Sequence, residues 1–109
     1  MSWSDEIALE LSRAEQAIAA GNAGRARTAA RRAVGIAATE YQRIHPDKQY
    51  GKDFMRQVRG IAEDDSLPRE VREAAARLQS RISQDFTSNS RDPLADATVI
   101  ITFIEQSLL

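Results

Sequence analysis

Apolar residues recur every three or four positions along most of the chain, which is the spacing that lines one side of an α-helix. The first such segment runs from Ser4 to Ala20, with Ser4 as the expected N-cap and Gly21-Asn22 as the expected end. Its apolar side consists of Trp3, Ile7, Leu11, Ala14 and Ile18. Leu9 lies off this side, so we expect it to be exposed.

A second helix is predicted from Ala23 to Ile44, because alanines continue the same spacing. Its predicted face consists of Ala26, Ala30, Ala33, Ala37, Tyr41 and Ile44. Small side chains let another helix approach closely, so we expect this helix to be central. Pro46 ends it, since the residue before a proline is pushed out of the α region.

Two shorter helices follow the polar loop HPDKQYG. One is predicted over Asp53 to Asp64, with an apolar side formed by Phe54, Val58, Ile61 and Ala62. The other starts at Ser66-Leu67-Pro68, with Ser66 as N-cap and the proline in the first turn. Its apolar side is formed by Val71, Ala75, Leu78 and Ile82, and a loop with Phe86 as an apolar anchor is predicted after it.

The last predicted helix begins near Asp92-Pro93 and is apolar on two sides. Its main side consists of Leu94, Ala97, Ile101, Ile104 and Leu108, with Ile100 beside it. Val99 and Phe103 lie on a separate side, which is buried either by the same bundle or by another chain. Candidate contacts to a dimer mate or partner are therefore Leu9, Val99 and Phe103. The whole pattern predicts one domain over residues 1–109, an all-α antiparallel bundle of four to five helices.

Composition narrows the class of protein. The 109 residues carry a formal charge of −1 and contain no cysteine, which argues against a dedicated nucleic-acid binder and excludes thiolate chemistry. No apolar run approaches the roughly 20 residues that span a bilayer, and the first ten residues lack the pattern of a signal peptide. We therefore expect a soluble cytoplasmic protein without a membrane segment, and no motif predicts a cofactor.

Three stretches carry a resemblance to a known family. AIAAGNAGRARTAARRAVGIAATEY resembles the first helical hairpin of small prokaryotic HEPN-domain proteins, in which an acidic helix ends at Gly-Asn before an alanine- and arginine-rich one. AEDDSLPREVREAAARLQSRISQDF is similar to the family's next pair of elements, and DPLADATVIITFIEQSLL to its terminal helix. The resemblance implies a four-helix bundle, homodimerisation, and a link to RNA cleavage or to a nucleotidyltransferase partner in toxin–antitoxin pairs.

The nuclease motif of that family is missing. Its members carry an arginine a few residues before a histidine, but His45 is the only histidine here and the matching positions hold Ala38, Thr39 and Glu40. Arg43 stands too close to His45 for that spacing. The leading hypothesis is thus a non-catalytic HEPN-like bundle that acts through protein–protein interaction or homodimerisation, with a nucleotidyltransferase as a candidate partner.

A tetratricopeptide-like interaction module is the rival resemblance, since a helix ending in Gly-Asn before an alanine-stepped helix is also typical of that repeat. Repeat proteins need about three stacked copies to bury a continuous core. No second copy follows about 34 residues later, where the chain reads MRQVRGIAEDD. The bundle is the favoured interpretation.

The arginines of the second helix are the main candidates for binding. On a helical wheel they flank the alanine face, with Arg25, Arg32 and Arg43 along one edge and Arg27 and Arg31 along the other. The favoured interpretation pairs them with the acids of the first helix, which are Asp5, Glu6, Glu10 and Glu15. The alternative is contact with RNA or another anion through Arg25, Arg31, Arg32 and Arg43.

Other polar residues give weaker predictions. Glu40 falls within the alanine face, where it either reaches solvent or an arginine of the adjacent helix, or serves as a site carboxylate. His45, Asp47 and Tyr50 share a loop, which favours a His-Pro-Asp turn over a metal or acid–base cluster. Glu63-Asp64-Asp65 is expected to serve the next helix start. A second hypothesis is an RNA-binding or RNA-cleaving protein with a non-standard site around Arg31, Arg32, Tyr41 and His45.

Overall fold

Five α-helices make up the fold in the computed structural model, which describes residues 2–79 and 92–108. In chain order they are α1 Trp3–Ala19, α2 Ala23–Ile44, α3 Phe54–Glu63, α4 Arg69–Gln79 and α5 Pro93–Ser107. α2 packs against each of the other four. The all-α helical bundle and the central place of α2 are therefore confirmed. Within the described ranges, no helix combines the length and the apolar character that crossing a membrane requires.

Most helix ends lie where the sequence predicts them. α2 has the predicted bounds, and α5 begins at Pro93 with Asp92 as its N-cap, whose Oδ1 accepts from the Ala95 N–H at 3.0 Å. Gly21 ends the α1 turn with a φ of 74°, a left-handed conformation that glycine adopts without a Cβ penalty. His45 caps α2 just before Pro46, as a proline at that place requires.

Two predicted N-caps are wrong. Ser2, not Ser4, caps α1: Ser2 Oγ accepts from the Asp5 N–H at 3.2 Å, and the Asp5 carboxylate accepts from the Ser2 N–H. This reciprocal box satisfies two helix-start donors, which Ser4 does not do. Ser66 lies three residues before α4, and its own N–H donates to Asp64 Oδ1 at 3.0 Å. Asp64 therefore holds the turn that leads into α4.

The core confirms most of the predicted apolar sides, with two corrections. Ile18 and Ile44 are 46% and 43% exposed, because both lie in the last turn of their helices, where Ala17 and Tyr41 supply the buried surface instead. The main buried cluster consists of Ile7, Ala30, Ala33, Val34, Ala37, Ala38, Tyr41, Val58, Ile61, Leu67, Val71, Ala74, Ala75, Leu78, Ala97, Ile100, Ile101 and Ile104. Ile82 and Phe86 lie outside the described residues. α2 thus contributes small side chains, and its neighbours contribute the large ones.

The crossing of α2 and α3 depends on Gly35. A Cβ at that position would lie 2.6 Å from Phe54 Cβ and 3.2 Å from Phe54 Cα, so only glycine lets the two backbones approach this closely. Gln57 is buried beside it, and its Nε2 donates to Thr39 Oγ1 at 2.9 Å and to the Gly51 carbonyl at 3.1 Å. The small residues of α2 therefore include one glycine that fixes a helix crossing.

Candidate functional site

A cleft with a volume of about 410 Å³ lies between α1 and α2. Glu10 lies near Arg32 and Ala20 lies near Asn22 along its length, because the two helices run antiparallel across a short turn. We call it the arginine cleft; it is lined by Glu10, Arg13, Gln16, Ala17, Ala20, Asn22, Arg25, Thr28, Ala29 and Arg32. Alanines form its floor and polar groups its walls.

Three arginines reach the arginine cleft. Arg25 and Arg32 lie seven residues apart on α2, which is about 10.5 Å along the axis. Arg25 is exposed and makes no ion pair with a described residue. The Arg32 guanidinium lies over the Phe54 ring at 5.8 Å, and Arg13 enters from α1. Arg25 and Arg32 are two of the predicted anion contacts, and the geometry brings them to one cleft.

The interhelical pairing of acids with arginines, predicted for α1 and α2, is wrong. Glu10 Oε1 instead accepts from Arg13 Nη1 at 2.7 Å, within α1. None of the ion pairs between described residues joins an α1 acid to an α2 arginine. The physical reason is that the α1 acids are mostly exposed to water, where a pair gains little energy. Glu10 Oε2 is buried and has no hydrogen-bond partner.

Arg31 is not free to bind a ligand. Its Nε donates to the Leu78 carbonyl at 2.6 Å and its Nη2 to the Gln79 carbonyl at 3.4 Å, at the C-terminal end of α4. A cation is stabilised at a helix C-terminus, where the last carbonyls lack intrahelical donors. Burial, and to a lesser degree the charge of Arg27, lower the pKa of Arg31 from its ordinary value. Arg31 therefore ties α2 to α4.

Arg43 and Glu40 pair with each other on α2, with Arg43 Nε and Glu40 Oε2 at 2.9 Å. The predicted partner of Glu40 on an adjacent helix is thus wrong, because an arginine one turn away on the same helix is closer. Arg43 lies outside the residues that line the arginine cleft. Of the four predicted anion contacts, two line the cleft and two are held elsewhere.

The non-standard site predicted around Arg31, Arg32, Tyr41 and His45 is not assembled. Arg31 contacts the end of α4, while Arg32 contacts Phe54 of α3. Tyr41 is buried, and its ring centroid lies 4.7 Å from that of His45. Tyr41 is ten residues beyond Arg31 in the sequence, which is about 15 Å along the axis of α2. The four side chains therefore do not share one reaction centre.

The loop residues form a structural tie around Asp64. The Lys48 N–H donates to the His45 carbonyl at 2.9 Å, which confirms the His-Pro-Asp turn. Tyr50 Oη donates to Asp64 Oδ2 at 2.6 Å, and Lys48 Nζ lies 2.9 Å from the same oxygen. Lys48 also bonds Ser66 Oγ. No described group of three acidic or histidine side chains is arranged to hold a metal ion.

The tie shifts the pKa of its members in opposite directions. Burial and the hydrogen bond to Asp64 both raise the pKa of Tyr50. Burial would also raise the pKa of Asp64, but the bonds that it accepts from Ser66, Tyr50 and Lys48 outweigh burial and hold this pKa below its ordinary value. Asp64 is therefore ionised at neutral pH, which keeps the loop attached to the α3–α4 turn.

The three apolar contact candidates occupy different environments. Val99 and Phe103 are partly buried and pack against the core, with the Phe103 ring 6.3 Å from that of Tyr41. Leu9 is 43% exposed, as predicted. Much of the second apolar side of α5 is thus covered by its own bundle. Their role in a dimer or partner contact stays a prediction.

Sequence reasoning missed Arg13 as a member of the cleft. Arg13 lines the cleft together with Gln16 and Ala17 of α1, and this follows only from how α1 docks on α2. A comparison with known families, curated proteins and solved structures finds no match. The HEPN resemblance stays a prediction that rests on the stretches quoted above.

Proposed function

We propose that this chain is a non-catalytic binding protein that holds an acidic protein segment in the arginine cleft. The observation that carries the proposal is that Arg13, Arg25 and Arg32 reach one cavity of about 410 Å³. An arginine guanidinium binds a carboxylate through two parallel hydrogen bonds, which gives orientation as well as attraction. The alanine floor of the cleft leaves room for a peptide backbone.

The charge of the site favours an acidic peptide over RNA. RNA binding by backbone contacts needs an extended basic surface, whereas this chain carries a formal charge of −1. Glu10 also lines the cleft and would repel a phosphate. A peptide with separated carboxylates avoids that repulsion, because its acids can face Arg25 and Arg32 while its neutral groups lie beside Glu10.

Glu10 gives the proposed binding mode a direction. Its Oε2 is buried without a partner, and an unpaired buried acceptor costs about 1–3 kcal/mol. If the Glu10 carboxylate turns toward the cleft on binding, a peptide N–H that donates to this oxygen recovers the energy. The bound segment therefore places a backbone N–H near Glu10 and its carboxylates near Arg25 and Arg32.

The test measures binding of a fluorescent glutamate-rich peptide and of an RNA oligonucleotide of equal charge. The cleft variant is Arg25→Met/Arg32→Met, and the control is Arg56→Met/Arg69→Met, which removes the same charge from exposed sites on α3 and α4. We expect the cleft variant to bind the peptide at least about tenfold more weakly and the control to bind it normally, since each charge-assisted bond is worth about 1.5–3 kcal/mol.

If the two double variants lose the same amount of peptide affinity, the interaction depends only on net charge, which contradicts the proposal. If the RNA binds more tightly than the peptide and only the cleft variant loses that binding, the ligand of the cleft is a nucleic acid and not an acidic protein segment. Both measurements are repeated at higher salt, because exposed charges are screened over about 10 Å at 0.1 M. A specific cleft retains its preference for the peptide.

The HEPN resemblance makes a nucleotidyltransferase the first partner to test, with a homodimer as the second arrangement. A dimer is measured by light scattering of the parent chain and of Phe103→Glu and Leu9→Glu. Leu9 is exposed, so Leu9→Glu keeps the fold and separates the copies if α1 forms the contact. A monomeric, folded parent chain rules out the homodimer and leaves the partner-binding proposal unchanged.

A further inference from the structure

A second cavity, of about 190 Å³, lies at the start of α2 on the side away from Arg25. Its walls are largely apolar and include Ile18, Ala26 and Pro93. Arg27 is the charged residue among its lining side chains. The cavity therefore combines an apolar surface with one cation.

Arg27 is buried without compensation. It is 5% exposed, and its Nε has no hydrogen-bond partner. No described carboxylate lies within 4 Å of it. A charge taken out of water is destabilising unless a partner neutralises it. Arg31, one turn later on α2, carries a like charge, and the charge of Arg27 contributes to lowering the pKa of Arg31.

The start of α2 adds further positive potential to the same cavity. The first N–H groups of a helix have no acceptor within the helix, and the dipole of a helix places about half a positive charge there. Asn22 Oδ1 accepts from the Arg25 N–H at 3.0 Å, whereas the N–H of Ala23, which lines the cavity, has no acceptor among the described residues. The first turn of α2 contains no acidic residue.

We infer that this cavity, at the N-terminus of α2, binds the carboxylate of a small apolar acid through Arg27 and the Ala23 N–H group. One buried guanidinium and one helix start match a single negative charge better than the double charge of phosphate. The apolar walls receive the rest of the ligand, and Ile18 at the edge extends that surface. The site is separate from the arginine cleft and does not depend on the proposed function.

The test follows the amide signals of Ala23 and Gly24 by NMR during titration of the full chain with butyrate. Butyramide, of the same shape but neutral, and inorganic phosphate are titrated in parallel, with sodium chloride at matched ionic strength. We expect butyrate to give saturable shifts, phosphate to give weaker binding, and butyramide to give none. Equal responses to butyrate and butyramide, or no response to butyrate, would overturn the inference; tighter phosphate binding would overturn the assignment to a carboxylate.

Variants then locate the site. Arg27→Met keeps the aliphatic volume and removes the charge, so butyrate binding should fall at least about tenfold. Arg25→Met, two residues away on the opposite side, should bind butyrate as the parent does. An unchanged affinity in Arg27→Met contradicts the inference. If Arg27→Met does not fold, Arg27→Lys keeps the charge but loses the planar pair of donors, and unchanged binding by that variant contradicts the paired geometry.

Discussion

The arginines of the arginine cleft and those beside α4 have the same chemistry but different surroundings. Arg31 donates to the last carbonyls of α4, and Arg77 forms a two-pronged pair with Asp96 of α5, with Arg77 Nη2 and Asp96 Oδ1 at 2.8 Å. Arg25 extends into an open cavity without an ion pair to any described residue. Arginine near a packed interface stabilises the fold, while arginine in a cleft remains able to bind.

This difference also separates two halves of the bundle. Where α2 meets α3, the backbones approach closely at Gly35, and where α4 meets α5, Arg77 pairs with Asp96. Where α1 meets α2, a cavity lies along the contact and one buried carboxylate oxygen has no hydrogen-bond partner among the described residues. Substitutions where α2 meets α3 or α4 meets α5 should therefore change the free energy of unfolding, and substitutions in the cleft between α1 and α2 should change binding.

The largest loss of stability is expected for Gly35→Ala. The added methyl would overlap Phe54 Cβ and approach Gln57 Oε1 at 2.8 Å, so α3 must move away from α2. Overpacking of this kind costs about 1–3 kcal/mol, and we expect the upper end because backbone is involved. Urea unfolding measures the change. Gly24→Ala is the matched control: no atom lies closer than 3.9 Å, and the chain should unfold at the same or higher urea concentration.

The next largest effect is expected for Asp96→Asn. Asp96 is 8% exposed, and its loss of charge leaves Arg77 without its main partner. Since the Arg77 side chain is 43% exposed, water compensates part of the loss, and we expect about 2 kcal/mol. Thermal and urea unfolding should agree. Glu73→Gln, which breaks the exposed pair with Arg69, should cost less than about 0.5 kcal/mol, and an equal cost would contradict the role of burial.

A smaller, pH-dependent effect is expected for Asp64→Asn. The folded pKa of Asp64 lies below its unfolded value of about 4, so the ionised carboxylate stabilises the fold above that pH. This contribution is lost as the pH falls from about 4 towards the folded pKa. The variant should lose about 1–2 kcal/mol at neutral pH and unfold less steeply with acid than the parent chain. Parallel pH curves for the two chains would show that Asp64 contributes no such stabilisation.

The smallest effect on stability is expected for Arg25→Met. The side chain is exposed and unpaired, so the free energy of unfolding should change by no more than about 0.5 kcal/mol. Its loss should nevertheless weaken binding of the glutamate-rich peptide. A destabilisation as large as that of Asp96→Asn would show that Arg25 belongs with the structural arginines.

Several features were predictable because they depend on neighbours in the chain. The bounds of α2 follow from Gly21-Asn22 and Pro46, and the start of α5 follows from Asp92-Pro93. The choice of Ser4 as the N-cap was wrong, because Ser2 has an acid three residues later, Asp5, with which it forms the reciprocal bond, whereas Ser4 has Ile7 at that place. Local signals thus locate helices better than they select a cap.

The candidate site was predicted only in part. Arg25 and Arg32 were among the expected anion contacts, and both line the arginine cleft. Arg31 lies along the other edge of the alanine face by the wheel, where the end of α4 lies within its reach. Arg27 was expected to pair with an acid of the first helix, but it is buried beside a cavity that Pro93 of α5 also lines. A helical wheel gives the direction in which a side chain points, but not which residues of other helices lie in that direction.

The sequence by itself determined that the described chain is helical, that α2 is the central helix, and that its alanines face inward, because these depend on spacing, caps and side-chain size. Tertiary structure alone decided which arginines are tied and which line a cavity, and which carboxylate oxygen and which guanidinium nitrogen are buried without a partner among the described residues. The physical reason is that the energy of a charge depends on the water and partners around it, which are set by residues far away in the chain.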